Sequence, residues 1–152
     1  MPNDTITSPT IVIEPLPPDL PMTGWRTFTD SDGGAPLRCC LRQSRVGERI
    51  TLASVAPPGP AGAYLETGPV FVHAEGCTGP ATDGYPAEFR TRPQVFRAYG
   101  ADGTIVGGEL VEPGEGQEAV AARLLADPAV AFLHSRNVVH GCYMFAIRRA
   151  AG

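Results

Sequence analysis

Short apolar runs, most of them alternating with polar residues and bounded by glycine or proline, recur along this chain. RITLASV over 49–55 and PVFVHAE over 69–75 have the period of two that sends successive side chains to opposite faces of a strand. LRCCLR over 37–42 reads as a third such strand, and TIVIEPL as a short edge strand ended by Pro15. QVFRAYGADGTIVGGELV contains two β-prone runs around Gly100-Ala101-Asp102-Gly103, the turn chemistry of a hairpin. GQEAVAARLLAD, about 116–127, predicts a helix, because Ala and Leu dominate it, Val120 and Leu124 share a face and Asp127-Pro128 ends it. AVAFLHSRNV and GCYMFAIRR then read as a closing antiparallel pair around a turn near 135–141.

Apart from TIVIEPL, residues 1–36 read as an irregular lead-in rich in Pro, Asp, Thr and Gly, and 37–152 as one globular domain. Six to eight strands with one helix and no regular βαβ alternation predict an α+β fold. Its expected form is a curved, mostly antiparallel sheet or open barrel, with the helix over one opening or face. A pure β-barrel is the alternative.

The strand faces bring candidate chemistry into view. If 69–75 is extended, Val70, Val72 and Ala74 share one face, and Phe71, His73 and Glu75 the other. A carboxylate beside a histidine fixes its tautomer, which suits an acid–base group with Glu75 as orienter; the plainer alternative is two polar residues meeting solvent at a strand end. In LRCCLR the same alternation puts Cys39 with Leu37 and Leu41 as a small core hydrophobe. Cys40 falls between Arg38 and Arg42, where guanidinium groups favour a thiolate. Cys77 follows Gly76 in a loop that leaves its direction open, so Cys40 is the expected thiol of the pocket and Cys77 is not.

His73 and Cys77, with His140 and Cys142, make H-x3-C and H-x-C pairs of zinc-ligand type, but the spacing departs from C-x2-4-C and H-x3-5-H, and the preferred reading has no metal. Arg97 and Tyr99 on one face of VFRAY, with Arg90 and Arg92 nearby, suit a carboxylate or phosphate. No G-x-S-x-G elbow, H-E-x-x-H, dinucleotide fingerprint or P-loop occurs.

Composition narrows the classes. Over 152 residues the formal charge is -4 and the basic residues are scattered, which argues against nucleic acid and anionic membrane as partners. All 12 basic residues counted as Lys+Arg are arginine, so Schiff-base lysines and a Walker lysine are excluded. Together with abundant Ala, Gly and Pro, this is the composition of a high-GC bacterial genome. Without a secretory signal or a run of ~20 apolar residues, the chain is expected to be soluble and cytoplasmic, with its four cysteines reduced.

The segments APLRCCL, GERITL, YLETGPVFVHAEGC, RAYGADG and DPAVAFLHSRNVVHGCYMFAIRR resemble a family of small bacterial proteins catalogued as domain of unknown function twelve-zero-three, over roughly 36–149. The resemblance rests on an R-x-x-L strand at Arg38–Leu41, the stretch from Ala63-Tyr64 through Val72, the hairpin Arg97–Gly103 and Arg136-Asn137 through Cys142. It implies a soluble single-domain bacterial protein, no defined reaction, and a shared constellation of Arg38, Tyr64, Asn137 and Cys142. Ala63 and Arg136 stand where the family pattern has Ser and His.

The expected function is therefore a cofactor-independent small-molecule enzyme doing acid–base chemistry on a carbonyl or carboxylate substrate, in specialised metabolism. His73, Glu75 and Cys40 form its catalytic set, and Arg38, Tyr64, Arg97 and Asn137 its substrate contacts. The alternative is a non-catalytic module that binds a metabolite or peptide. The expected partner is a small-molecule ligand, the expected oligomeric state monomer or weak homodimer, and no metal or cofactor is expected.

Overall fold

The computed structural model describes residues 9–150. Among these the chain is mostly β, with one α-helix and two mainly antiparallel five-stranded sheets in place of a single sheet. In chain order the elements are β1 (Ile11–Glu14), β2 (Met22–Thr29), β3 (Pro36–Leu37), β4 (Arg42–Gln43), β5 (Arg49–Val55), β6 (Gly68–His73), β7 (Gln94–Tyr99), β8 (Ile105–Val111), α1 (Gln117–Leu125), β9 (Phe132–Asn137) and β10 (Tyr143–Arg149). The first sheet has the order β1-β10-β9-β7-β8 and the second β2-β5-β6-β3-β4. No helix among the described residues is long and apolar enough to cross a membrane.

Local chemistry explains the elements that were legible. In the β7–β8 hairpin, Gly103 takes φ 84°, a conformation open to glycine. Asp102 Oδ1 accepts the Thr104 N–H at 3.0 Å, which closes the turn. Helix α1 lays Val120, Ala121 and Leu125 on the first sheet, in a core with Phe96, Leu133, Phe145 and Ile147. Each of these larger side chains adds about 1.5–3 kcal/mol by leaving water.

The opposite face of that sheet carries Arg97, Tyr99, Phe132, His134, Arg136 and Tyr143. The cross-strand pairs Arg97↔His134, Tyr99↔Phe132 and Tyr143↔Arg136 place them together. Tyr143 joins Val55, Val70 and Val72 of the second sheet in a smaller core, and so links the two sheets.

Two segments differ from expectation. Met22–Thr29, within the stretch read as irregular, is an eight-residue strand paired to β5. Most of its side chains are exposed, so backbone hydrogen bonds hold it and no apolar alternation announces it. LRCCLR is not a strand. It is a tight hairpin in which Leu41 N–H donates to Leu37 O at 2.9 Å and Leu41 takes φ 56°. Cys39 and Cys40 therefore do not alternate across a pleat.

Candidate metal centre

The hairpin turn is set against β6 by a single parallel bridge, Leu37↔Phe71, with Arg38 N–H donating to Phe71 O at 2.9 Å. His73 ends β6, and Cys77 follows in the next loop. The result is one cluster: the ligand atoms of Cys39, Cys40, His73 and Cys77 all lie within 4.8 Å of one another.

His73 Nδ1 is 3.6 Å from Cys39 Sγ and 3.7 Å from Cys40 Sγ. Zinc–sulfur and zinc–nitrogen bonds of about 2.3 and 2.05 Å at a tetrahedral angle give an N···S edge of about 3.6 Å. Both N···S distances thus match the edge of a tetrahedral site. The backbone N–H of His73 also donates to Cys39 Sγ at 3.3 Å, a contact that stabilises a thiolate.

The groups behind the ligands are equally ordered. His73 Nε2 lies 3.0 Å from Glu48 Oε2. Glu48 in turn accepts from Arg42 Nη1 at 3.0 Å, Arg42 Nη2 at 2.7 Å and the Arg45 backbone N–H at 2.7 Å. The Arg42 guanidinium holds the Glu48 carboxyl far below the usual range, with Arg45 N–H and His73 adding to the effect against some desolvation. Arg42 Nη2 also comes within 3.2 Å of His73 Nε2. With its proton on Nε2 toward the closer of these partners, the accepting carboxylate of Glu48, the imidazole turns the Nδ1 lone pair to the thiols. This is the carboxylate–histidine arrangement that orients a metal-binding imidazole.

The thiols differ from one another. A hydrogen bond from Cys39 lowers the Cys40 pKa, the same contact and burial raise that of Cys39, and burial raises that of Cys77. Cys40 is buried, Cys39 half-buried and Cys77 exposed. Beside them opens a cleft of about 230 Å³ lined by Arg42, Glu48, Glu75 and Thr78 as well as three of the four cluster residues.

Of the expected catalytic residues, His73 and Cys40 meet here and Glu75 does not join them. Glu75 lies exposed, 3.3 Å from Arg49, and Glu48 holds the position beside His73. Arg38 is buried and donates to Tyr143 O at 2.7 Å and Pro36 O at 2.5 Å, with burial lowering its pKa to about 10. Two carbonyls hold it as a tie between the sheets.

Tyr64 is half-exposed on the 57–67 loop, and Arg97 faces Tyr99 and Glu66 on the first sheet. Arg90 pairs with Glu118, while Arg92 donates to Asn137 Oδ1 at 3.1 Å. His140 and Cys142 sit at the β9–β10 turn and take no part in the His73 cluster.

Sequence reasoning passed over Cys39 and Glu48 and set Cys77 aside. The signal for the two cysteines was present in an adjacent Cys-Cys pair together with H-x3-C. Glu48 needed the strand register, because it lies two residues before Ile50, the partner of His73.

Residues 34–149 match the family model described as Protein of unknown function (DUF1203). No curated protein and no solved structure matches the chain.

Proposed function

The chain belongs to the DUF1203 family, and we propose that it is a zinc protein whose ion is held by Cys39, Cys40, Cys77 and His73. This replaces the cofactor-free expectation. The observation that carries the reading is the convergence of four ligand atoms within 4.8 Å, three of them soft sulfurs and the fourth an imidazole nitrogen already oriented by a carboxylate. Three thiolates and an imidazole suit zinc over the harder cations, and four protein ligands make a closed, structural site. The ion's work is to fasten the β3–β4 hairpin, the end of β6 and the loop through Cys77 into one unit.

The test is elemental analysis of chain purified without chelator, together with cobalt substitution. One zinc per chain is expected, with the visible absorption of tetrahedral thiolate-bound cobalt, both lost in Cys39→Ser with Cys77→Ser. Failure to take up zinc on reconstitution from the reduced apo-protein overturns the reading.

A second reading is favoured by the geometry at the edge of the cleft, where Cys40 Sγ lies 3.7 Å from His73 Nδ1 and His73 Nε2 lies 3.0 Å from Glu48. In it the metal-free chain is an enzyme, with Cys40 as thiolate, His73 as acid–base group and Glu48 as orienter, acting on a carbonyl or carboxylate compound. The two readings exclude each other at Cys40, because a bound ion occupies the thiolate that catalysis needs.

A further inference from the structure

Away from the cluster, the 57–67 loop PPGPAGAYLET covers the face of the first sheet that carries Arg97, Phe132, His134 and Arg136. One side chain of this loop reaches inward. Glu66 Oε1 lies 2.6 Å from Arg136 Nη2 and 3.5 Å from Arg97 Nη1, so one carboxylate oxygen answers two guanidiniums from neighbouring strands. Arg136 is buried, with its side chain 9% exposed, whereas that of Glu66 is 54% exposed. Arg136 Nη1 also donates to Gly141 O at 2.9 Å, and the carboxylate adds the opposite charge that offsets burial of the guanidinium. Here the anion comes from a loop built largely of Pro, Gly and Ala.

The floor beneath is aromatic. Tyr99 stacks on Phe132 with centroids 5.0 Å apart, and His134 packs against Tyr99, Phe132 and Tyr143. Three buried polar atoms on this face, His134 Nδ1, Arg136 Nε and Tyr143 Oη, have no hydrogen-bond partner among the described residues. Buried groups of this kind normally have one. His134 Nε2 donates to Pro58 O at 2.9 Å, which leaves Nδ1 as an acceptor, while Arg136 Nε is a donor and the tyrosine hydroxyl can be either.

The Glu66–Arg136 pair also divides two spaces. On one side, above Tyr99 and Phe132, is a cavity of about 20 Å³, enough for about one water molecule. On the other, a cleft of about 240 Å³ runs between the sheets, past Val55, Pro69, Val70 and Tyr143. Both are lined by Pro57, Glu66 and Arg136. Glu66 thus stands where the two spaces meet, between the Arg136 guanidinium that lines both and the Arg97 guanidinium beside them, with Thr67, His140 and Cys142 adding polar groups to the cleft's lining. The cleft lies below the ~300–1,000 Å³ of sites for drug-sized ligands, so its occupant is small.

We propose that this is a binding site for a small aromatic carboxylate, in which Glu66 is an internal stand-in that the ligand's carboxylate displaces from Arg136 and Arg97. The guanidiniums take the carboxylate and the ring lies along the Val55, Pro69 and Val70 side of the cleft. A hydroxyl on the ring gains from the unpartnered hydroxyl of Tyr143, which lines the same cleft. This site is independent of the zinc cluster and stands or falls without it.

The experiment titrates the full chain and Glu66→Ala with benzoate and 4-hydroxybenzoate, using benzamide as the uncharged control. Removing the competing carboxylate is expected to tighten benzoate binding at least tenfold, 4-hydroxybenzoate is expected to bind more tightly than benzoate, and benzamide is expected not to bind. Adding Arg97→Met, at a partly exposed position, returns Glu66→Ala to wild-type affinity or below. Equal affinity of wild type and Glu66→Ala for benzoate, or equal binding of benzamide and benzoate, overturns the proposal. Should Glu66→Ala fail to fold because Arg136 loses its anion, Glu66→Gln keeps the volume without the charge. Benzoate is then expected to raise its melting temperature more than that of the wild type, and no such rise overturns the assignment.

Discussion

Glu48 touches no ligand sulfur, yet three donors fix it against the imidazole, and that gives it a measurable share in the affinity for metal. Glu48→Gln is expected to weaken zinc binding by about 10–100-fold, the usual effect of losing such an outer partner, in competition against a chromophoric chelator. An unchanged affinity would mean that the imidazole is oriented without it. The thiols can be ranked in the metal-free chain with iodoacetamide near neutral pH. Cys40, whose pKa is lowered, is expected to react ahead of Cys77, whose pKa is raised, and zinc to protect both. Modification of Cys77 first would contradict this order. At His134, burial with Arg136, Arg148 and Arg97 nearby lowers the pKa from 6.5 to about 4, despite the favourable Pro58 carbonyl. The unfolded chain then binds the extra proton first, so this contribution to stability is intact above pH 6.5 and is lost as pH falls toward 4. Urea midpoints should decline across that window, and more shallowly in His134→Gln.

The hairpin between β3 and β4 shows how a single residue sets an element. Leu41 adopts φ 56°, at a cost of about 1–2 kcal/mol for an L-residue, yet its side chain is buried in the core under α1. Leu41→Gly relieves that strain but loses a buried leucine, for which truncation costs about 2–5 kcal/mol. The net expectation is a loss of about 1–3 kcal/mol by urea titration, and a stabilised variant would show that strain outweighs packing. This turn was the least legible element of the site. Its sequence has the alternation of a strand, and only the Leu37–Leu41 hydrogen bond and the bridge to Phe71 reveal that both thiols point to one place. The β7–β8 hairpin, α1, β5, β6, β9 and β10 were readable because turn residues and apolar period agree over each of them. β2 was hidden because its side chains, with Trp25 72% exposed, bury almost nothing. His73 was legible as a strand-borne group. Its true carboxylate was not, since the cross-strand register that brings Glu48 close has no mark in local sequence.

For the whole molecule, a ligand that binds only the folded state adds stability as its concentration exceeds the dissociation constant, about 2.7 kcal/mol at a hundredfold excess. For a domain of this size that amounts to a melting temperature about 5–11 °C above that of the chelated protein, read by calorimetry. Equal melting temperatures with and without zinc would remove the structural role assigned to the ion. The chain itself is expected to sediment as a monomer or weak dimer, because edge strands β1 and β4 are only four and two residues long and edge strand β2 is bulged between Gly24 and Arg26, and a tight dimer at nanomolar concentration would contradict that. Cys39 and His73 meet across 34 positions of sequence. Between them lie β4, β5 and nearly all of β6, so an ion at this point closes a long loop around the middle of the second sheet. Partial opening of that sheet then requires a ligand to leave first. In hydrogen exchange, the amides of β5 and β6 should slow on zinc loading under conditions where β7 and β8 keep their metal-free rates, which divides the chain into one cooperative unit gated by the ion and one indifferent to it.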